Sequence, residues 1–207
     1  DKTAFTFAPV SSGSKITLHG LAVVPVTPIA KMEAGAEIRL NSVNGIRFLT
    51  KFDAAQIQKL QSEGATVELG TLIAPKDYLK NEDETYKDLT FELDENQYVD
   101  VQYKAKNDDG SFIWHKGIEG QIAGSLVTIN DTNISREFIG RGYVKVTKDG
   151  NTTITYADYH GVDGGEPSME NHFRSLQYVA QKLQSDTEHS DIYEQFISTS
   201  ETKQLLD

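Results

Sequence analysis

From residue 1 to about 160 the chain is a succession of short β-like runs broken by Gly, Asn, Asp and Pro, and this punctuation restricts its folding more than any other feature. Runs of this length cannot bury themselves; they must pair into sheets, and each sheet must cover an apolar face against another layer. The segments "TAFTFAP", "SKITLHGLAVVPV", "AEIRLNSVNGIRFLTKF", "ATVELGTLIA", "QYVDVQYKAK", "SFIWH", "GSLVTI", "REFIGRGYVKV" and "TTITYADY" all read as strands. They are enough for two sheets. The expected fold is mainly β, a β-sandwich or jelly-roll-like domain, and "AKNDDGSF" supplies a polar hairpin turn within it.

Two places depart from the β period. After Phe52, "DAAQ" is a capping box: Asp53 can accept from a first-turn amide, Gln56 can reach back, Ile57 and Leu60 line one face, and Gly64 stops the helix. Beyond residue 160, "HFRSLQYVAQKLQ" sets Phe173, Leu176, Val179, Ala180 and Leu183 at helical spacing, and "SDIYEQFISTSETKQLL" forms a weaker second helix through Ile192, Phe196 and Ile197. With neither repeats nor a long linker, the chain reads as a single domain over 1–207. Its 1–160 portion is the sandwich with one short inserted helix, and 168–206 is a C-terminal helical cap packed on it.

Composition narrows the function classes. A hydrophobic fraction of 38% and a charged fraction of 25% are those of a folded soluble protein, without the unbroken apolar run that a membrane helix needs. The net charge of −11, with no basic stripe, disfavours nucleic acid and anionic membranes, since both demand dense positive charge. Neutral ligands such as sugars remain open. Cysteine is absent, which removes disulfides, thiolate catalysis and Cys-based zinc sites. The chain begins "DKTAFTFAP" without an initiator Met or a signal-peptide apolar stretch, and is expected to be a mature or excised piece of a longer protein, monomeric on its own.

No sequence motif announces catalysis. The five histidines are scattered, and no H-E-x-x-H, G-x-S-x-G, Walker A or dinucleotide-binding pattern occurs. His160, Asp163 and Glu166 in "YADYHGVDGGE" could converge on a metal from one loop, but hard ligands in a solvated loop are common without one, so no cofactor is expected and calcium has no further support. Asp108 and Asp109 lack a calcium-loop spacing and read as turn residues. A glycosidase needs two carboxylates at a set separation, and 31 acidic residues supply too many nominal pairs to choose from. Aromatic residues are more informative, because sugar binding stacks pyranose rings on aromatic faces. Trp114, Phe112, Tyr98, Tyr103, Tyr156 and Tyr159, with His160, are the candidates. In "FIWHK", read as a strand, Phe112 and Trp114 share one face and Ile113 and His115 the other, with Ile113 expected to point inward. The competing reading, in which Trp114 is core, stands beside it.

The segments "GIRF", "ELGTLIAPKDYL", "GSLVTI", "REFIGRGYVKV" and "RSLQYVAQKL", in that order and spacing over residues 35 to 190, resemble a β-rich accessory module of large multimodular secreted or cell-surface proteins of gut Firmicutes. There the module occurs beside Ig-like repeats, glycosidases and cell-wall anchoring signals. The resemblance implies an extracellular location, neighbouring modules as partners, and no catalytic residues. The matching segments also share an Arg inside each of three apolar runs, Arg47, Arg141 and Arg174. An Arg near a core needs a carboxylate or carbonyls, for which Glu37, Glu68, Glu137 and Glu170 are candidates. The arginines read as a structural set tying the sheet to its helical cap, with an anion-binding cluster as the alternative.

The sequence therefore leads to a non-catalytic, extracellular carbohydrate-binding module acting through exposed aromatics. A structural or protein-contacting spacer of a surface adhesin is the alternative, and a glycoside hydrolase comes third.

Overall fold

A computed structural model describes residues 28–39, 44–160 and 168–199. The strand-like runs "TAFTFAP" and "SKITLHGLAVVPV", the metal candidates Asp163 and Glu166, and the last eight residues lie outside them.

The described chain forms two antiparallel sheets with short helices, a mainly β fold consistent with a β-sandwich carrying an inserted helix and C-terminal helices. In the first sheet, β3 (Gly45–Phe52) is central. Its two ends pair on one side with β1 (Ala30–Met32) and β2 (Glu37–Arg39), and β6 (Gln121–Val127) runs along its other side. The second sheet has the order β5-β4-β7-β8, built from β4 (Thr66–Pro75), β5 (Val99–Tyr103), β7 (Phe138–Lys148) and β8 (Asn151–Tyr156).

Strand alternation decides what lies between the sheets. Ile46, Phe48, Thr50 and Phe52 of β3 are buried, whereas Arg47, Leu49 and Lys51 occupy the alternate positions on the outer face. The charge inside "GIRF" is thus compatible with a core strand. Phe48 and Thr50 sit where side chains on Gly140 and Gly142 of β7 would be, and Thr71 of β4 stands likewise against Gly124 of β6. Glycines let the two sheets approach closely at these three points.

The outer face of the second sheet is also covered, which explains why β4 is buried on both faces from Leu69 to Ala74. α2 (Lys76–Leu79) and the segment after it cover it, burying Leu79 and Leu89 and setting the Phe91 ring 5.0 Å from that of Tyr143. Between β3 and β4 lies α1 (Ala54–Ser62). Its N-cap forms: Asp53 accepts from the Gln56 amide at 2.9 Å and from Gln56 Nε2 at 2.8 Å, which holds its carboxyl below the usual carboxylate range, while the Asp53 amide donates to the Ile29 carbonyl at 2.9 Å instead of to Gln56. Gly64 ends the helix in the left-handed region, with φ 85°.

The C-terminal helices are α3 (Leu176–Gln184) and α4 (Ser190–Thr199). Phe173, Leu176, Val179 and Ala180 are buried and belong to the same apolar cluster as the strands. Side chains of residues 196–199, including Phe196 and Ile197, lie outside the described set.

Two expectations about local structure change. β1 was not foreseen. "SFIWH" is not a strand: it makes one bridge, Lys106 to Phe112, and then enters a 3-10 turn at His115–Gly117. The backbone cannot stay extended there because Lys116, Gly117 and Gly120 all have positive φ. Consequently Phe112 and not Ile113 points inward; Phe112 is 4% exposed and Ile113 47%.

Candidate functional site

The predicted aromatic residues do not form one platform. Tyr98 and Tyr156 belong to an aromatic cluster around Phe91, with ring centroids at 5.9 and 6.2 Å, and the Tyr156 hydroxyl accepts the Phe91 amide at 2.9 Å. Tyr159 is 8% exposed and turned against His172 at 5.0 Å. It cannot offer a face to a sugar, and burial pushes its phenol pKa up. The His160 amide donates to His172 Nε2 at 3.2 Å. Tyr156 and Tyr159 already have a cation between them: the Arg141 guanidinium lies 5.2 and 5.4 Å from their rings and donates from Nε to the Ala157 carbonyl at 3.1 Å. Tyr103 donates its hydroxyl to the Ile113 carbonyl.

Phe112 and Trp114 form a pair, with centroids 5.7 Å apart. Phe112 is core, so it acts from beneath and is not the exposed platform that its sequence pattern predicts. Trp114 is partly exposed and lines a shallow groove of about 100 Å³ between α1 and the 111–119 segment. Gln58 and Gln61 of α1, Ser111 and Glu119 stand around this aromatic floor. Helix α1 brings its two glutamines to one edge because they are three residues apart.

A larger cleft of about 540 Å³ opens over the β2–β3 hairpin. One wall carries Glu37, Arg47 and Lys116, and the other comes from α3, α4 and the turn between them. Glu37 and Arg47 are register partners, and the carboxylate lies 3.6 Å from Arg47 Nη1, 3.0 Å from Lys116 Nζ and 3.7 Å from His115 Nε2. The His115 distance is too long for a hydrogen bond. Burial, followed by the nearby Arg47 charge, pushes the His115 pKa down, so this ring is neutral at pH 7. Opposite, Asp186 bonds His189 Nδ1 at 2.8 Å and raises the His189 pKa.

The three arginines therefore have separate surroundings. Arg47 has Glu37, Arg141 has two tyrosines with Asp88 at 3.9 Å, and Arg174 donates to its neighbour Phe173's carbonyl at 2.7 Å while lying over Tyr178. Of the other expected carboxylate partners, Glu68 pairs with Lys145 and Glu137 with Lys76. The C-terminal segment is joined to the sheet by main chain as well as by its buried side chains: Phe138 and Arg174 exchange two N–H to C=O bonds of 2.8 Å. The Arg47 cleft was missed because its second wall comes from helices far along the chain, and no local pattern links them to β3.

Among the described residues, no group of three or more His, Asp or Glu side chains converges as a metal site. The turn at Asp109 is closed by Ser111, whose amide and hydroxyl both bond the carboxylate, at 2.9 and 2.6 Å. No helix among the described residues is long and apolar enough to cross a membrane. Comparisons of the chain with protein-family models, with curated proteins and with solved structures returned no match.

Proposed function

We propose that this chain is a non-catalytic accessory module of an extracellular, multimodular bacterial protein, and that it binds carbohydrate in the groove between α1 and Trp114. The observation that carries this reading is the Trp114 ring, backed by Phe112 and surrounded by Gln58, Gln61, Ser111 and Glu119. An indole stacks on the apolar face of a sugar ring, and amide, hydroxyl and carboxylate groups bond its hydroxyls. At about 100 Å³ the groove takes part of one ring, so each contact is weak. Such a module gains strength when several act on one polymer, as the resemblance to multimodular surface proteins implies. The acidic surface, with a net charge of −11, favours neutral glycans over anionic polymers.

Affinity electrophoresis and pull-down against soluble and insoluble glycans test the proposal. One or more neutral glycans should retard the protein, and Trp114→Ala should weaken that retention about tenfold or more. Gln61→Ala, at a partly exposed helix position, serves as the second variant if Trp114→Ala lowers stability. If no glycan is retained and Trp114→Ala alters stability alone, the module is a structural spacer or protein-contacting unit. Turnover of a retained glycan, lost on changing one Asp or Glu in a folded variant, would make it an enzyme.

A further inference from the structure

The glycan reading leaves the cleft over β2 and β3 unused. We infer that this cleft is a binding site for a small organic carboxylate with an apolar body, separate from the Trp114 groove. Its volume, about 540 Å³, lies within the range of small-molecule sites.

The charge on one wall is incomplete. Arg47 and Lys116 share a single carboxylate, that of Glu37, so among the described residues one positive charge on that wall has no ion-pair partner of its own. Arg47 is largely buried, its side chain 12% exposed, and its Nε is buried without a hydrogen-bond partner among the described residues. Its closest approach to Glu37, 3.6 Å, exceeds hydrogen-bond length. A buried guanidinium in this state gains from a second acceptor, and the planar fork of a carboxylate matches it. His115 does not supply the missing charge, since an imidazole carries no negative charge.

The rest of the cleft selects the ligand's body. Ile38, Val179, Leu183 and Ile192 line it beside Asp186, His189 and Gln195, and their aliphatic surface suits a hydrocarbon chain or ring. Asp186, which also lines the cleft, pairs with His189, and no ion pair joins it to Arg47 or Lys116 among the described residues. A single unbalanced positive charge favours a monoanion over a phosphate dianion.

Hexanoate is a suitable probe, followed by amide chemical shifts of the folded protein, with acetate and hexanol as controls lacking the apolar body or the charge. Hexanoate should bind saturably, shifting Arg47, Lys116, Val179 and Leu183, and both controls should bind about tenfold more weakly or less. Arg47→Met should weaken hexanoate about tenfold while leaving any glycan retention at Trp114 intact. If Arg47→Met does not fold, Lys116→Met at a well-exposed position decides, with weaker hexanoate binding expected. The proposal is overturned if hexanoate shows no saturable shifts, if hexanol binds as tightly, or if the deciding folded variant binds hexanoate like the parent. Trp114→Ala should leave hexanoate binding unchanged, so this site and the glycan site can fail independently.

Discussion

His172 is buried and makes two hydrogen bonds that together require a neutral ring. Nδ1 faces the Ser168 carbonyl at 2.7 Å and must donate, so Nε2 is the acceptor for the His160 amide at 3.2 Å. Protonation would place a second N–H against that amide. Burial is the main cause that pushes the His172 pKa below its ordinary value of 6.5. The sign follows from linkage: between the two values the unfolded chain binds the proton and the folded one does not, so this contribution to stability is present above about pH 6.5 and is lost as pH falls toward the folded value. His189 behaves oppositely, since Asp186 raises its pKa. Its contribution is present below about pH 6.5 and lost as pH rises through the raised value. Site-resolved NMR titration should find His189 titrating above 6.5, and His172 and His115 below it. A His172 midpoint at or above 6.5 would contradict the assigned hydrogen-bond roles.

The two sheets approach closely where β7 crosses β3. A side chain on Gly142 would run into Thr50, and one on Gly140 into Phe48, both buried between the sheets. Gly142→Val should therefore destabilise the fold by about 1–3 kcal/mol, as overpacking of a filled core does, in spite of the better strand propensity of Val. Urea unfolding measures this directly, and an unchanged or raised midpoint would show that the sheets can move apart. β3 was legible in the sequence because Ile46, Phe48 and Phe52 fall at alternate positions, and β7 because it is long, rich in aromatic and β-branched residues and ends at the Asp149–Gly150 turn. The N-cap of α1 was legible because Asp53 and Gln56 act on each other within one turn. Glu37 as a partner for Arg47 could also be anticipated. "SFIWH" could not be read correctly, because its strand-like composition is overruled by the positive φ at Lys116 and by the docking of Phe112 into the core. The same misreading reversed which side of the segment faces outward, and with it the role of Phe112. The Arg47 cleft depends on contacts between distant elements, which local periodicity does not encode.

At the scale of the molecule, the sheets and the C-terminal helices share their burial. Phe173, Leu176, Val179 and Ala180 lie in the apolar cluster that includes Phe48, Leu72 and Ile139, and the Phe173 ring sits 4.9 Å from that of Tyr86. The main chain adds the paired bonds between Phe138 and Arg174 and one from the Gln177 amide to the Ile134 carbonyl at 3.0 Å. Losing the burial of Phe173, Leu176 and Val179 alone removes roughly 5–9 kcal/mol, as large as the entire stability of many domains. A chain ending at Pro167 should therefore lack a cooperative thermal or urea transition, and the milder Leu176→Ala should lower stability by about 2–5 kcal/mol while remaining folded. Circular dichroism and denaturant unfolding distinguish the two. Cooperative unfolding of the shortened chain at the midpoint of the intact one would mean that the strands form a self-sufficient unit and that α3 merely rests on it. The expected loss instead makes α3 part of the core, which in turn fixes its Val179 and Leu183 opposite Arg47 and gives the cleft a rigid second wall.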